Sequence, residues 1–121
     1  MNKGYSILDI QTKERWKVVF KDEGKWLLGV YVPENLKMED IKFLERHDAP
    51  ELFILVKGKM ILVVADGNNL EEIEMKHNIP YIVTGWHNAY RPKGTEGVAL
   101  VIERDGVKTE YRNIREFIPK A

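Results

Sequence analysis

The chain has 121 residues, a length suited to one domain, and its 44% hydrophobic content excludes a largely disordered protein. Its 19 basic and 19 acidic residues cancel, which excludes a general electrostatic attraction to nucleic acid or to an anionic membrane. The sequence contains no cysteine, so disulfides, zinc–thiolate sites and thiolate nucleophiles are excluded and His, Asp and Glu remain as metal ligands.

Ten short segments rich in Val, Ile and aromatic residues follow one another along the chain, and each ends at a turn signal. Their lengths, and the Asp-Gly pairs and single glycines between them, are typical of β-strands joined by hairpins. In chain order the predicted strands cover residues 16–20, 26–32, 41–47, 51–56, 60–65, 70–75, 79–83, 86–91, 98–103 and 107–111. Residues 34–39 and 113–117 are each predicted to form at most a short helical turn. So many strands in one small domain predict an all-β sandwich or barrel.

The third and fourth predicted strands carry the first candidate site residues. Glu45 and His47 are two residues apart, so on an extended strand both side chains point to the same face. After a turn, Glu51 opens the next strand and shares a face with Phe53 and Leu55. If that face is the interior of a barrel, carboxylate and imidazole groups converge in an otherwise apolar cavity.

The eighth predicted strand adds a second group, because His87, Ala89 and Arg91 share one face by the same alternation. Two imidazoles and one carboxylate, from His47, His87 and Glu51, would match the set that holds a divalent transition metal with open coordination positions. Spacing alone leaves another interpretation open, in which the histidines are surface residues and the glutamate is solvated. The guanidinium of Arg91 could clamp a substrate carboxylate, or reach solvent from the end of its strand.

These two segments resemble the paired motifs of the cupin superfamily, which are small β-barrels of the jelly-roll type. The first cupin motif reads G-x5-H-x-H-x3,4-E-x6-G, and its second half fits here as His47-x3-Glu51-x6-Gly58. The second motif reads G-x5-P-x-G-x2-H-x3-N, and its histidine region fits at residues 86–88. The likeness covers a motif core of residues 41–91.

The resemblance implies a single cupin-like jelly-roll barrel over residues 1–121, with a divalent metal such as manganese, iron, nickel or zinc. It implies His47, Glu51 and His87 as the ligands. The first motif histidine is replaced here by Glu45, and the final asparagine of the second motif by Arg91. Glu45 could be a fourth ligand that favours a harder metal such as Mn or Fe(II), or could lie nearby and pair with a lysine. A third alternative is that the site binds no metal.

Two functions agree with these residues. The first is an enzyme of lyase, isomerase or oxygenase type, in which the metal is a Lewis acid or O2 site for a small polar or anionic substrate. Arg91 and Glu45 would then be its catalytic residues. The second is a non-catalytic cupin that binds a small molecule and keeps a vestigial or structural metal site. Either could form a homodimer, through an exposed apolar sheet or by exchange of residues 5–10.

Other functions lack a supporting motif. There is no basic cluster for nucleic acid and no phosphate-binding glycine loop, and Ser6 is the only serine, which argues against a serine hydrolase. No apolar run approaches the ~20 residues that span a bilayer, and residues 1–5 open no signal peptide, so we expect a cytoplasmic protein. His77 is predicted to be a solvated turn residue, and Trp86 to pack in the core or at a dimer interface.

Overall fold

The computed structural model describes residues 3–118, which form ten β-strands and two short 3-10 turns. The strands are β1 (Trp16–Asp22), β2 (Trp26–Tyr31), β3 (Phe43–His47), β4 (Glu51–Gly58), β5 (Ile61–Asp66), β6 (Asn69–Glu74), β7 (Pro80–Val83), β8 (His87–Tyr90), β9 (Gly97–Arg104) and β10 (Thr109–Asn113). The turns are Met38–Asp40 and Ile114–Phe117. The predicted all-β class with minimal helix is therefore confirmed. Within this described range, neither helical turn is long and apolar enough to cross a membrane.

The strands form two five-stranded sheets with antiparallel pairing between the neighbouring strands. We call the sheet with order β1-β2-β9-β4-β7 the first sheet, and the sheet with order β10-β3-β8-β5-β6 the second sheet. The main core lies between them, because its buried residues come from both, for example Phe53 and Val101 from the first and Leu62 and Ala89 from the second. This is the sandwich expected of a jelly-roll barrel.

The turn between β3 and β4 carries the chain from the second sheet to the first. The backbone N–H of Asp48 donates to the carbonyl of Lys108, and the Asp48 side chain accepts the Lys108 N–H at 3.0 Å. These bonds hold the turn against the start of β10, which explains why β10 begins at Thr109 rather than at the predicted residue 107. His47 and Glu51 therefore flank the same turn but belong to different sheets.

Two glycines are required by close backbone or ring approaches. Gly58, the last glycine of the first motif, has a φ of 73°, and a Cβ there would collide with the carbonyl of Glu96. Gly29 leaves room for the indole of Trp16, which would overlap any side chain at that position. Both glycines thus permit contacts between neighbouring strands and loops that no other residue would allow.

A second apolar cluster lies on the other side of the second sheet. Leu44 and Val63 are fully buried there, against Phe117 of the Ile114–Phe117 turn. A capping box between Asn113 and Glu116 fixes that turn. Trp86 packs into the same cluster, with its ring centroid 5.7 Å from that of Phe117, as predicted for a core tryptophan.

Candidate metal centre

Two imidazoles and three carboxylates converge between the sheets. The second sheet supplies Glu45 and His47 from β3 and His87 from β8, where Glu45 and His87 are paired in register. The first sheet supplies Glu51 from β4 and Glu103 from β9, which are likewise directly paired. The group is therefore assembled from four strands and joins the two sheets across the interior.

The shortest approaches in the group involve one oxygen of Glu51. Its Oε1 atom lies 2.7 Å from Nε2 of His87 and 3.1 Å from Nε2 of His47. Oε1 of Glu45 is somewhat farther, 3.7 Å from Nε2 of His47 and 3.8 Å from Nε2 of His87. Ligand atoms of Glu45, His47 and His87 lie within 4.8 Å of one another, as do those of His47, Glu51 and Glu103, and either trio could hold a metal ion.

The other nitrogen of each imidazole is already engaged. Nδ1 of His87 lies 2.9 Å from the carbonyl oxygen of Gly85, which can only accept, so this nitrogen donates a proton and Nε2 is the nitrogen that faces the carboxylates. Nδ1 of His47 lies 2.8 Å from the hydroxyl of Thr109. Such contacts hold the ring orientation of histidines, so both Nε2 atoms face the carboxylates of the group.

The carboxylates contain buried oxygens that need a partner. Within residues 3–118, Oε1 of Glu51 and Oε2 of Glu103 are the buried side-chain atoms without a hydrogen bond. Oε1 of Glu51 lies close to the Nε2 atoms of both histidines, at 2.7 and 3.1 Å, without a hydrogen bond of regular geometry to either. An unsatisfied buried polar atom costs about 1–3 kcal/mol, and a bound cation would remove that penalty. Nitrogen and oxygen donors without thiolate suit a divalent metal such as Mn, Fe, Ni or Zn.

The carboxylates make the group favourable for positive charge, whether on the imidazoles or on a bound cation. The Glu51 carboxylate raises the pKa of His47. Burial by itself would lower the pKa of His87, but the contact with Glu51 outweighs it and raises the pKa. Burial would likewise raise the pKa of Glu51, and the two imidazoles outweigh that effect and lower it. Burial, followed by the proximity of Glu51, raises the pKa of Glu103 to about 7.

Solved structures with this architecture identify the fold. No protein-family model matches the chain, and no curated protein matches it either. A cupin-2 domain-containing protein from Shewanella frigidimarina superposes with a TM-score of 0.57 at 17% identity, over 78% of this chain and 82% of that one. The chain has a cupin fold.

Two further cupin-fold neighbours are named as enzymes. The cobalt(II) form of HppE in complex with substrate superposes with a TM-score of 0.61 at 16% identity, over 84% of this chain and 59% of that one. The polyketide cyclase RemF from Streptomyces resistomycificus gives a TM-score of 0.56 at 14% identity, over 89% of this chain and 82% of that one. The present chain thus spans less than two thirds of HppE, and these likenesses concern the fold.

The cupin barrel brings most of the predicted site residues together. Glu45, His47, Glu51 and His87 all lie in the group, and their relative exposure falls from Glu45 to the buried Glu51 and His87. The sequence interpretation missed Glu103. Its only signal was a carboxylate at the end of an otherwise apolar run, and a continuous run does not reveal which face such a residue occupies.

Arg91 is not brought to the group. β8 ends at Tyr90, so the alternation that placed Arg91 with His87 stops one residue too early. Its guanidinium instead donates to the carbonyl of Pro33 at 2.8 Å and to that of Thr95 at 3.1 Å. The sequence prediction that this side chain shares the interior face is corrected accordingly.

The remaining histidine lies away from the group, as predicted. His77 is exposed beside the β6–β7 connection, and its Nε2 atom lies 2.6 Å from the carbonyl oxygen of Gly58. Asn78, which follows it, has a φ of 62°, as expected in a tight turn.

The five converging side chains, named the metal-ligand group because subsets of them could hold an ion, lie at a cavity of about 520 Å3 inside the barrel. Besides the five group members, its wall carries aromatic side chains, charged residues near the opening and apolar residues. They include Arg15, Trp16, Tyr31, Lys42, Phe43, Phe53, Val101, Thr109 and Tyr111. A volume of this size matches small-molecule sites, which combine apolar walls with a few convergent polar groups.

Proposed function

We propose that this chain is a metal-dependent cupin enzyme that acts on a small polar molecule. His47, His87 and Glu51 would hold a divalent transition metal, with Glu45 as a fourth ligand. The observation that carries the proposal is the convergence of two oriented Nε2 atoms on a buried, unsatisfied carboxylate oxygen in an open cavity. The chain resembles HppE in fold, and HppE was solved with Fe(II) and with Co(II), which supports the proposal of a divalent metal.

The donor set favours particular metals. Two imidazole nitrogens with two or three carboxylate oxygens are harder than a histidine-rich or thiolate set, so we propose Mn(II) or Fe(II) ahead of nickel or zinc. A metal bound there would supply Lewis acidity towards a substrate oxygen, or a site for O2 chemistry if it is redox-active.

The other residues of the cavity would orient the substrate and handle protons. Burial raises the pKa of Glu103 to about 7 in the metal-free protein, and a bound cation would lower it, so Glu103 is suited to accept a proton at Oε2. Burial raises the pKa of Tyr31, so its phenol remains a proton donor to the cavity. Arg15 and Lys42, rather than Arg91, are cations in the wall and would contact a negatively charged group of the substrate.

Metal analysis of untagged protein tests this proposal. We expect about one metal ion per chain in the wild type, and at least a ~10-fold loss of affinity in His47→Ala or His87→Ala, because each removes a ligand. His77→Ala is the matched control, since that histidine lies outside the group and should leave the metal content unchanged. Absence of stoichiometric metal, or equal retention in all variants, would contradict the proposal.

The alternative, a non-catalytic binding cupin, predicts a different response. In a thermal-shift screen with organic acids and sugars, ligand stabilisation that persists after chelation would favour the binding protein. Stabilisation that needs the metal, together with turnover of the same compound, would favour the enzyme.

A further inference from the structure

Two exposed aromatic rings lie at the wall of the cavity. Phe43 is 44% exposed and Tyr111 is 62% exposed, and both line the cavity. Their ring centroids are 5.3 Å apart with planes at 80°, the edge-to-face arrangement that aromatic pairs prefer. Other aromatic rings of the cavity have packing partners in the core, such as Phe53 against Tyr31. Phe43 and Tyr111 thus leave apolar surface available to a bound molecule.

Strand register connects this pair to the metal-ligand group. Tyr111 is paired with Glu45, and Thr109 is paired with His47. Phe43, Glu45 and His47 alternate along β3, so each step from one to the next is about 7 Å. A ring lying against Phe43 and Tyr111 would therefore be close enough to the ligand atoms for one small molecule to contact both.

Resting on the proposed metal site, we propose that the cavity takes ligands that join a metal-chelating oxygen head to an aromatic or similarly flat ring. The head would reach the metal between His47, His87 and Glu51. The ring would pack against Phe43 and Tyr111. Neither a purely aliphatic polar molecule nor a ring without a chelating head would use both parts of the cavity.

Two hydroxamates with the same chelating head test this pairing. Benzohydroxamate carries a phenyl ring where acetohydroxamate carries a methyl group, and both are titrated into the metal-loaded full chain. We expect the wild type to prefer benzohydroxamate by about 10-fold, the effect of one buried ring contact. Phe43→Leu with Tyr111→Leu should reduce that preference to about 2-fold and leave acetohydroxamate binding and metal content unchanged. Tyr5→Leu, at an exposed aromatic residue outside the cavity wall, should behave as the wild type.

Equal affinity for the two compounds in the wild type, or an unchanged preference in the double variant, would overturn the inference while the metal site stands. Binding of metal without either hydroxamate would also overturn this inference alone, whereas failure to bind metal would contradict the proposed function and this inference together. Since both substituted side chains are exposed, the double variant is expected to fold.

An independent observation concerns the outer face of the first sheet. An apolar row crosses all five strands there, in the register order Phe20, Leu28, Ile102, Leu52 and Ile82. The large side chains Phe20, Ile102 and Ile82 are between 39% and 62% exposed. Trp26 extends the row, with its ring centroid 5.2 Å from that of Phe20, and is 41% exposed.

The size and charge of this face fit a second copy of the chain. With full side-chain areas of about 150–250 Å2, the four exposed residues leave roughly 350 Å2 of apolar surface. A standard interface buries about 800 Å2 per partner, and somewhat more than half of that area is apolar, so these four residues would supply a large part of it. Asp22 and Arg104 are register neighbours of Trp26 on its two sides, so a two-fold contact can set acid against base. We infer that this face joins two copies.

Sedimentation and light scattering measure the consequence directly. We expect the wild type to be a dimer in the micromolar range, about twice the chain mass of 14.1 kDa, and Ile82→Lys to be a monomer. Ile79→Lys is the control, at an exposed isoleucine that precedes β7 and lies outside the apolar row. A wild-type monomer, which would leave this face to another protein or to none, would overturn the inference. So would a dimer that Ile82→Lys does not dissociate.

Discussion

The hydroxyl of Thr109 allows a test of how the chain prepares His47 to bind metal. Thr109 is paired with His47 in register, and its hydroxyl lies 2.8 Å from the ring nitrogen that faces away from the metal-ligand group. Thr109→Val replaces that hydroxyl with a methyl group of similar shape. The half-buried nitrogen then loses its partner, and the ring is free to change tautomer or rotate.

The expected effect on metal affinity is a 10- to 100-fold loss, typical for removal of a residue that orients a ligand and equivalent to about 1.4–2.7 kcal/mol. The free energy of unfolding of the metal-free protein should fall by about 1 kcal/mol, the net value of one hydrogen bond. Competition with a chromogenic chelator measures the affinity, and urea unfolding measures the stability. Thr109→Ser, which keeps the hydroxyl, is the control and should retain most of the affinity.

Unchanged metal affinity in Thr109→Val, with or without the loss of stability, would refute the assigned role of this contact. Equal losses in the Ser and Val variants would refute it as well, because the hydroxyl could not then be the cause.

Three further predictions concern stability. The pKa of Glu103, about 7 in the fold against an ordinary 4.5, means that the metal-free protein loses stability as pH rises through 7, because the folded state favours the neutral acid. Glu103→Gln should therefore stabilise the metal-free protein at mildly alkaline pH by about 1–2 kcal/mol, after allowance for partial solvent screening. In acid the same substitution should have little effect on stability. An equal effect at both pH values in thermal melts would contradict this prediction. The Asp105 carboxylate accepts the Gly24 N–H at 2.8 Å, and this bond lowers the pKa of Asp105 in the folded state. The ionised carboxylate therefore stabilises the fold above pH 3.8, and this stabilisation is lost as the pH falls through the folded-state pKa. Asp105→Asn should flatten the acid limb of urea unfolding, and an unchanged limb would count against it. Chelation should lower the Tm by roughly 10 °C when free metal was about 100-fold above its Kd, whereas His87→Ala should melt at the same temperature with or without chelator.

Strand alternation was sufficient to predict the core of the site. Phe53 and Leu55, placed on the face of Glu51 by their spacing, are both buried in the main core. Alternation works there because β3, β4 and β8 are regular extended segments over the site residues. Each of the ten predicted strands is present, and the turn predicted at 113–117 is the 3-10 turn Ile114–Phe117, whereas the one predicted at 34–39 lies instead at Met38–Asp40.

The parts that could not be predicted depend on contacts distant in the sequence. Glu103 joins the site because β9 lies between β2 and β4, and nothing local in an apolar run encodes those neighbours. Arg91 was misplaced for a related reason. Its strand ends where the backbone N–H of Arg91 bonds to the carbonyl of Asn35, and that loop contact leaves no trace in the spacing of residues 86–91.

X-ray absorption at the edge of the bound metal tests the central claim most directly. The account predicts two imidazole nitrogens at about 2.0–2.2 Å, with the outer-shell scattering of histidine rings, and the remaining donors as oxygen without sulfur. Loss of one imidazole in His87→Ala would agree with it. A metal surrounded by oxygen alone, with no histidine scattering in the wild type, would contradict it.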